Sequence, residues 1–228
     1  MATLFFDFDG TVADSEAGIV AALKYMVQDR GLRPLDNSAY VQFIGPALVQ
    51  KLPEVWPELD DIEVKRAIDA FHHYYQEEGL YQAKLYPGFL DTMTALKEQG
   101  HHLYIASAKP EMMLHRLVKH FALDRYFNAA YGASDDEQTR VTKTDVLAYA
   151  LKETNEDPAK SVMVGDRAND MIGGLDNHVQ LLGVTYGFGS AKELEDAGAK
   201  VLVDKPEAIP AGLAKLQELL PEIGRAHV

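Results

Sequence analysis

The chain has 228 residues, of which 47% are hydrophobic and 25% charged, a composition typical of globular rather than disordered proteins. Acidic residues outnumber basic ones by 35 to 22, and the formal net charge of −13 argues against nucleic acid polymers and anionic membranes as partners. Cysteine is absent, which excludes disulfides, thiol catalysis and thiolate metal sites. The chain has neither an apolar run of the roughly 18 residues needed for a membrane-spanning helix nor a signal-peptide pattern, so we expect a cytoplasmic protein.

The first 80 residues contain one predicted strand followed by a helical stretch. Residues 4–8 form an apolar run that breaks at Gly10, which is typical of a buried strand ending in a turn. Apolar residues then recur at helical spacing after Asp14 or Ser15 and stop at Gly31, and a second such stripe lies within residues 60–78. No strand is predicted between residues 14 and 79.

From residue 84 onward, short apolar runs alternate with helical patterns. Strands are predicted near residues 102–106, 129–132, 161–164, 179–184 and 200–203. Helices are predicted near residues 89–99, 111–121, 144–154, from 169, near 192–197 and finally up to 220. This alternation indicates an α/β fold with a doubly wound parallel sheet. We expect a core of residues 1–13 and 84–228, with an all-helical domain of residues 14–83 inserted after the first strand.

Polar residues follow several predicted strands directly. They are Asp7, Asp9, Gly10 and Thr11 after the first strand, Ser107 after the second, and Asp166, Asn169 and Asp170 after a later one, while Lys143 precedes a helix. The carboxyl ends of parallel strands meet in one crevice. A lone aspartate at such a place is usually a turn or cap residue, but this set is too acidic and too regular for that interpretation. Carboxylate ligands without cysteine favour Mg²⁺, which usually accompanies phosphate chemistry.

The same segments resemble the motifs of the haloacid dehalogenase superfamily. Residues 6–12, Ser107, Lys143 and residues 164–170 match its four motifs in order and spacing. Residues 43–46 and 107–110 are similar to phosphoglycolate-phosphatase-like members. The resemblance covers the whole chain and implies a Rossmann-like core, with residues 14–83 as a mobile helical cap.

The resemblance implies roles for the acidic residues. Asp7 would be the nucleophile that forms an aspartyl-phosphate, and Asp9 the general acid and then the general base. Asp166 would bind Mg²⁺ directly and Asp170 either directly or through a water, together with Asp7 and the backbone carbonyl of Asp9. Lys143 would offset the repulsion between the nucleophile and the phosphate.

Other residues have competing interpretations. Ser107 either binds phosphate or caps a helix, and Lys109 either touches substrate or is a surface lysine. Gly10 and Thr11 belong to the phosphate-binding turn, and Arg167 is a partner of the carboxylates or a loop residue. We interpret several further groups as structural: the pairs His72–His73 and His101–His102, the aromatic cluster Phe71, Tyr74 and Tyr75, and the turn Gly187–Phe188–Gly189.

The sequence therefore predicts a Mg²⁺-dependent phosphatase whose partner is a small phosphorylated metabolite. Phosphoglycolate, a nucleotide and a sugar phosphate all remain open as substrates. A phosphosugar mutase would use the same pair, Asp7 and Asp9, but pass the phosphate to a sugar. A non-catalytic binding protein is less favoured, because that usually requires a lost catalytic residue and Asp7, Asp9, Lys143, Asp166 and Asp170 are all present.

Overall fold

The computed structural model describes residues 1–136 and 138–223, with side chains up to residue 219. The strands are β1 (Thr3–Phe6), β2 (Ala13–Asp14), β3 (Lys84–Leu85), β4 (His102–Pro110), β5 (Ala129–Ala133), β6 (Ser161–Gly165), β7 (Gln180–Val184) and β8 (Val201–Val203). Six of them form a parallel sheet in the order β5-β4-β1-β6-β7-β8. The predicted parallel sheet is confirmed.

The remaining two strands, β2 and β3, form an antiparallel pair at the two ends of the helical stretch. The prediction of no strand after residue 14 is wrong at its first residue, because Asp14 belongs to β2. Strands of two residues show no alternation that a sequence pattern can reveal. The pair brings the ends of the helical stretch together beside β1.

The helices fall into two groups along the chain. Between β2 and β3 lie α1 (Glu16–Asp29), α2 (Asn37–Val41), α3 (Leu48–Val55) and α4 (Asp61–Tyr74), followed by a π-helical turn (Tyr75–Gly79) and a 3₁₀ turn (Leu80–Gln82). We call residues 16–82 the helical insertion. The other helices are α5 (Phe89–Glu98), α6 (Glu111–His120), α7 (Lys143–Thr154), α8 (Ala168–Asp176), α9 (Ala191–Asp196) and α10 (Ile209–Ile223).

Helices cover both faces of the sheet, because successive strand side chains point to opposite sides. Phe5 of β1 packs with Val146 and Leu147 of α7 on one face. Leu4 and Phe6, the neighbours of Phe5 on β1, pack on the other face against apolar residues of α5, α6 and α10. All four residues of β1 are buried, as expected for a central parallel strand.

The helical insertion lies over the carboxyl edge of the sheet and is held there by polar contacts. Arg167, next to the end of β6, donates from Nη1 to the carbonyl oxygen of Ile44 at 2.7 Å. Asn169 donates from Nδ2 to the carbonyl oxygen of Gly45 at 3.0 Å. The insertion therefore roofs the crevice in which the predicted site residues lie.

Within the described ranges, no helix has both the length and the apolar character needed to cross a membrane.

Candidate active site

The strand register brings the acidic residues together. Phe6, the last residue of β1, pairs with Ile105 of β4 on one side and Val164 of β6 on the other, so Asp7 leaves the sheet beside the end of β6 and in the middle of β4. Asp7, Asp166 and Asp170 each offer a carboxylate oxygen, and these oxygens lie within 4.8 Å of one another. All three side chains are buried. The predicted convergence of these aspartates is seen directly.

Two glycine-containing turns enclose Asp166. Its Oδ1 accepts from the Thr11 hydroxyl at 3.2 Å, and its Oδ2 accepts from the Phe188 backbone N–H at 2.8 Å. A Cβ at Gly10 would lie 2.1 Å from Asp166 Oδ2, and one at Gly187 would lie 2.5 Å from the same oxygen. Thr11 also uses its backbone N–H within the turn, toward Phe8. Thr11 therefore supports Asp166, and the segment around Phe188, interpreted from sequence as a plain turn, contributes to the site.

Lys143 lies beneath the carboxylates at the first residue of α7. Its Nζ lies 2.6 Å from Asp7 Oδ1 and 2.9 Å from Asp170 Oδ1, and donates to the carbonyl oxygen of Ala106 at 2.9 Å. Its side chain is 1% exposed, so the ammonium group depends entirely on these three partners. Lys143 is therefore not solvated, although most lysines at the start of a helix are.

Lys109 occupies the opposite side of the crevice and pairs with Asp9. Its Nζ lies 3.0 Å from Asp9 Oδ2 and donates to the Tyr75 hydroxyl at 2.8 Å. Lys109 is buried, so the interpretation as a surface lysine is wrong as well. The other oxygen of Asp9, Oδ1, is buried and has no hydrogen-bond partner among the described residues.

Burial and like charge shift the protonation equilibria of this cluster. Burial, reinforced by Asp170, raises the pKa of Asp7 to about 6. Burial, followed by repulsion from Asp170 and Asp7, raises the pKa of Asp166 well above its usual value. Burial alone would lower the pKa of Lys143, but Asp170 and Asp7 outweigh it and raise that pKa. The same balance, with Asp9 and Tyr75 as partners, raises the pKa of Lys109.

Ser107 lies at the end of the apolar part of β4, on the floor of a cavity between the sheet and the insertion. It is buried, and its Oγ accepts from the Lys109 backbone N–H at 3.4 Å. Asp7, Asp9 and Lys109 line the same cavity. The cavity therefore brings together the predicted nucleophile, the predicted acid and a hydroxyl group.

The roof of the cavity includes side chains interpreted above as structural. Phe71, His72 and Tyr75 of the insertion line it, together with the loop that contains Phe43 and with Leu48 at the start of α3. Apolar periodicity marks Phe71 and Tyr75 as buried but does not say what they face. The sequence signal that could have singled out Tyr75 is Gly79, which follows it four residues later inside a helical pattern.

Arg167 belongs to the junction between the sheet and the insertion. Besides Ile44, it contacts Glu193 of α9, with Nε 2.9 Å from Glu193 Oε1. Its backbone N–H donates to Asp170 Oδ2 at 3.0 Å. Of the two interpretations left open by the sequence, the one confirmed is that Arg167 is a partner of the carboxylates. It contacts Asp170 through its backbone N–H, while its side chain binds the insertion.

The histidines of the two pairs lie in different parts of the structure and contact different groups. His102 pairs with Glu156, its Nδ1 2.6 Å from Oε1, and His101 contacts the backbone of Ala2. Among the described residues, the group suited to a metal ion is the aspartate triad, and it contains no histidine. His72 is the one member of these pairs that lines the cavity.

The residues present fit a divalent cation. Asp7, Asp166 and Asp170 supply buried carboxylate oxygens close enough to share one ion. The crevice holds four carboxylates, with Asp9 the fourth, against the two ammonium groups of Lys109 and Lys143. When all are ionised, the cluster lacks two positive charges, which is the charge of one divalent ion. Oxygen-only ligands of this kind suit a hard cation.

Comparison with known proteins agrees with this geometry. The model of the haloacid dehalogenase-like hydrolase family matches residues 4–184. The chain is 31% identical over 217 residues to a 5'-nucleotidase of Pseudomonas aeruginosa, and the aligned segment covers 95% of this chain and 94% of that protein. It is 26% identical over 215 residues to a phosphoglycolate phosphatase of Agrobacterium fabrum, with 92% of each chain covered.

Solved structures show the same likeness over nearly the full length. A predicted phosphatase from Clostridium acetobutylicum is similar with a TM-score of 0.89 and 34% sequence identity, covering 94% of this chain and 98% of that one. The family match spans most of the chain and contains every residue of the acidic crevice. The chain therefore belongs to the haloacid dehalogenase-like hydrolases.

Proposed function

We propose that the chain is a Mg²⁺-dependent phosphatase that hydrolyses a small phosphomonoester through an aspartyl-phosphate on Asp7. The observation that carries this proposal is the arrangement of Asp7 and Asp9 at one strand end, with separate partners. Asp7 is part of the buried carboxylate triad and pairs with Lys143, whereas Asp9 lies outside the triad and pairs with Lys109. Two carboxyl groups in different environments can take different chemical roles.

In the first half-reaction, a carboxylate oxygen of Asp7 attacks phosphorus and the ester P–O bond breaks. Lys143 holds Asp7 Oδ1 at 2.6 Å, which orients the carboxylate and offsets its repulsion from the phosphate. Asp9 gives its proton to the departing oxygen from Oδ1, the oxygen that Lys109 leaves free. The hydroxyl group of Ser107 would donate to a phosphate oxygen.

In the second half-reaction, water attacks the phosphorus of the aspartyl-phosphate. Asp9, now ionised, accepts the proton of that water, and the bond between phosphorus and the Asp7 oxygen breaks. Free phosphate and the original carboxylate result. A magnesium ion held by Asp7, Asp166, Asp170 and the carbonyl oxygen of Asp9 would neutralise phosphate charge during both halves.

The helical insertion would act as a cap that excludes water and selects the leaving group. Its lining side chains are largely apolar, among them Ile19, Phe43, Leu48 and Phe71. Among the described residues, the insertion contributes no lysine, arginine or carboxylate side chain to this lining. Lys109 lines the cavity from the sheet side but is already paired with Asp9, so burying the carboxylate of phosphoglycolate against the insertion would be unfavourable. An uncharged leaving group is favoured, and the aromatic rings suit a nucleoside.

The experiment is phosphate release from a set of phosphomonoesters with Mg²⁺ present. We expect a nucleoside 5'-monophosphate to be hydrolysed with a higher kcat/KM than phosphoglycolate or a hexose phosphate. Asp7→Asn should lose turnover on every member of the set, and Asp196→Asn, the same change at an exposed site, should not. Transfer of phosphate to a sugar without release would favour the mutase instead. Release that survives Asp7→Asn would refute the proposal.

A further inference from the structure

We propose that Tyr75 is a positioning residue that makes proton transfer by Asp9 depend on the helical insertion lying over the sheet. The inference rests on the proposed function, because it assigns Asp9 a proton to give and to accept. It adds a residue from the insertion to a site whose reacting groups all belong to the sheet. Its link to Asp9 is Lys109.

The contacts form a short buried chain. The Tyr75 hydroxyl accepts from Lys109 Nζ at 2.8 Å, and the same Nζ lies 3.0 Å from Asp9 Oδ2. The ammonium group also lies 4.6 Å from the centre of the Tyr75 ring, within range of a cation–π interaction. All three residues are buried. Lys109 therefore has one partner on the β1 loop and one on the insertion, and its position depends on both.

The backbone around Tyr75 is shaped to hold its ring in place. Tyr75 is the first residue of the π-helical turn that follows α4, and such turns occur frequently at functional sites. The turn lies against α1 so closely that a Cβ at Gly18 would meet the carbonyl oxygen of Gly79 at 2.1 Å. A Cβ at Gly79 would lie 2.7 Å from Tyr75 Cδ2. The ring also stacks on Phe71, with centroids 5.3 Å apart.

This arrangement selects which oxygen of Asp9 can react. Lys109 occupies Oδ2, whereas Oδ1 is buried without a hydrogen-bond partner among the described residues. Both half-reactions need that free oxygen to face the reacting atoms. If the insertion moved away, Lys109 would lose Tyr75 and could swing on its flexible side chain, and Asp9 would lose its fixed orientation. Proton transfer would then be efficient only beneath the insertion, where bulk water is excluded.

Steady-state kinetics with two esters test this inference. We would compare wild type, Tyr75→Phe, Lys109→Gln and the double variant on an alkyl phosphate, whose leaving group needs a proton, and on p-nitrophenyl phosphate, whose leaving group does not. General acid–base catalysis contributes about 10²–10⁴ in rate, and loss of its positioning should lower kcat on the alkyl ester about tenfold in Tyr75→Phe. On p-nitrophenyl phosphate the initial burst of p-nitrophenol, which reports formation of the aspartyl-phosphate, should slow less, because this leaving group needs no proton. Its kcat should still fall where hydrolysis limits turnover, since that step also needs Asp9 as its base. We expect no rise in KM on either ester.

The double variant tests whether Tyr75 affects Asp9 through Lys109. If Tyr75 acts through Lys109, the double variant should be no slower than Lys109→Gln alone, whereas independent effects would multiply. The matched control is Tyr74→Phe, which removes a hydroxyl from the adjacent residue, whose ring stacks on Tyr25 instead. It should leave kcat and KM unchanged. Thermal unfolding of every variant establishes that it is folded.

Three results would overturn the inference. A raised KM with unchanged kcat in Tyr75→Phe would make Tyr75 a substrate-binding residue. A double variant whose loss of kcat is the product of the two single losses would make Tyr75 independent of Lys109. Wild-type kcat and KM in Tyr75→Phe would leave Tyr75 without a role in the reaction. Absence of phosphate release by the wild-type protein would instead contradict the proposed function. If Tyr75→Phe does not fold, Gly79→Ala displaces the same ring while keeping its hydroxyl, and the same fall in kcat is expected.

Discussion

Replacing Asp7 with asparagine should abolish turnover and, at the same time, stabilise the metal-free protein at neutral pH. Burial and then Asp170 raise the pKa of this carboxyl group from 3.8 to about 6, even though Lys143 acts in the opposite direction. The folded chain therefore keeps the Asp7 proton to a higher pH than the unfolded chain does. The free energy of unfolding should fall as pH rises through that interval and remain lower above it.

The size of the effect follows from the two pKa values. A shift of one unit corresponds to 1.36 kcal/mol, so the rise from 3.8 to about 6 costs the ionised native state about 3 kcal/mol. Asparagine fills nearly the same volume without the charge, and Lys143 keeps Asp170 as its partner. We therefore expect Asp7→Asn to be more stable than wild type by a few kcal/mol at about pH 8 and by much less near pH 4.

Urea unfolding in the presence of a chelator measures this difference across the pH range. Asp196→Asn is the control, since that carboxylate lies on the surface beside Lys192 and its replacement should change stability little at any pH. Added Mg²⁺ should stabilise wild type more at pH 8 than at pH 5, because its ligands must be ionised, and should stabilise Asp7→Asn less. A metal-free Asp7→Asn protein that is less stable than wild type at pH 8 would refute the reasoning.

Three further predictions concern the reaction itself. Chelation should abolish phosphate release and Mg²⁺ should restore it, with Ca²⁺ a poor substitute because it accepts looser coordination; full activity in excess chelator would contradict the metal site. Asp9→Asn treated with an aryl phosphate should accumulate a phosphate on Asp7, because the aspartyl-phosphate forms with little acid help from Asp9 but needs it as a base for hydrolysis. Mass spectrometry should detect this phosphate in Asp9→Asn and not in the variant that carries both Asp7→Asn and Asp9→Asn. Lys143→Met should lower kcat at least a hundredfold and destabilise the protein by about 3–5 kcal/mol in urea unfolding, since it leaves buried carboxylates without a cation; retention of either activity or stability would remove Lys143 from the site.

The residues that could be predicted from sequence are those whose place is fixed by the end of a strand. Asp7 and Asp166 each follow an apolar run directly, and topology brings those runs side by side. Asp170 follows one turn later on α8, close enough to share the same crevice. Such positions depend only on strand order and alternation, both of which leave a pattern in the sequence.

The residues that escaped prediction are fixed by contacts between distant segments. Tyr75 has the same helical periodicity as the buried residues of α4, and only the placement of the insertion turns it toward Lys109. Phe188 contributes a backbone N–H, which any residue at that position could supply, so the residue type does not reveal the contact. From sequence, Lys143 is named only through the family resemblance and Lys109 only as one of two interpretations, because a lysine carries no pattern that marks it as buried against carboxylates.

The buried charges also show how a protein with a formal charge of −13 could bind an anionic ester. Without a metal, a phosphate in the crevice would face four carboxylates and only two ammonium groups. Each unbalanced pair of charges about 4 Å apart costs roughly 4 kcal/mol at an effective dielectric constant of 20, far more than a hydrogen bond from Ser107 returns. A divalent ion on the triad removes that excess charge. Metal and phosphate should therefore bind cooperatively, each raising the affinity for the other by the same factor.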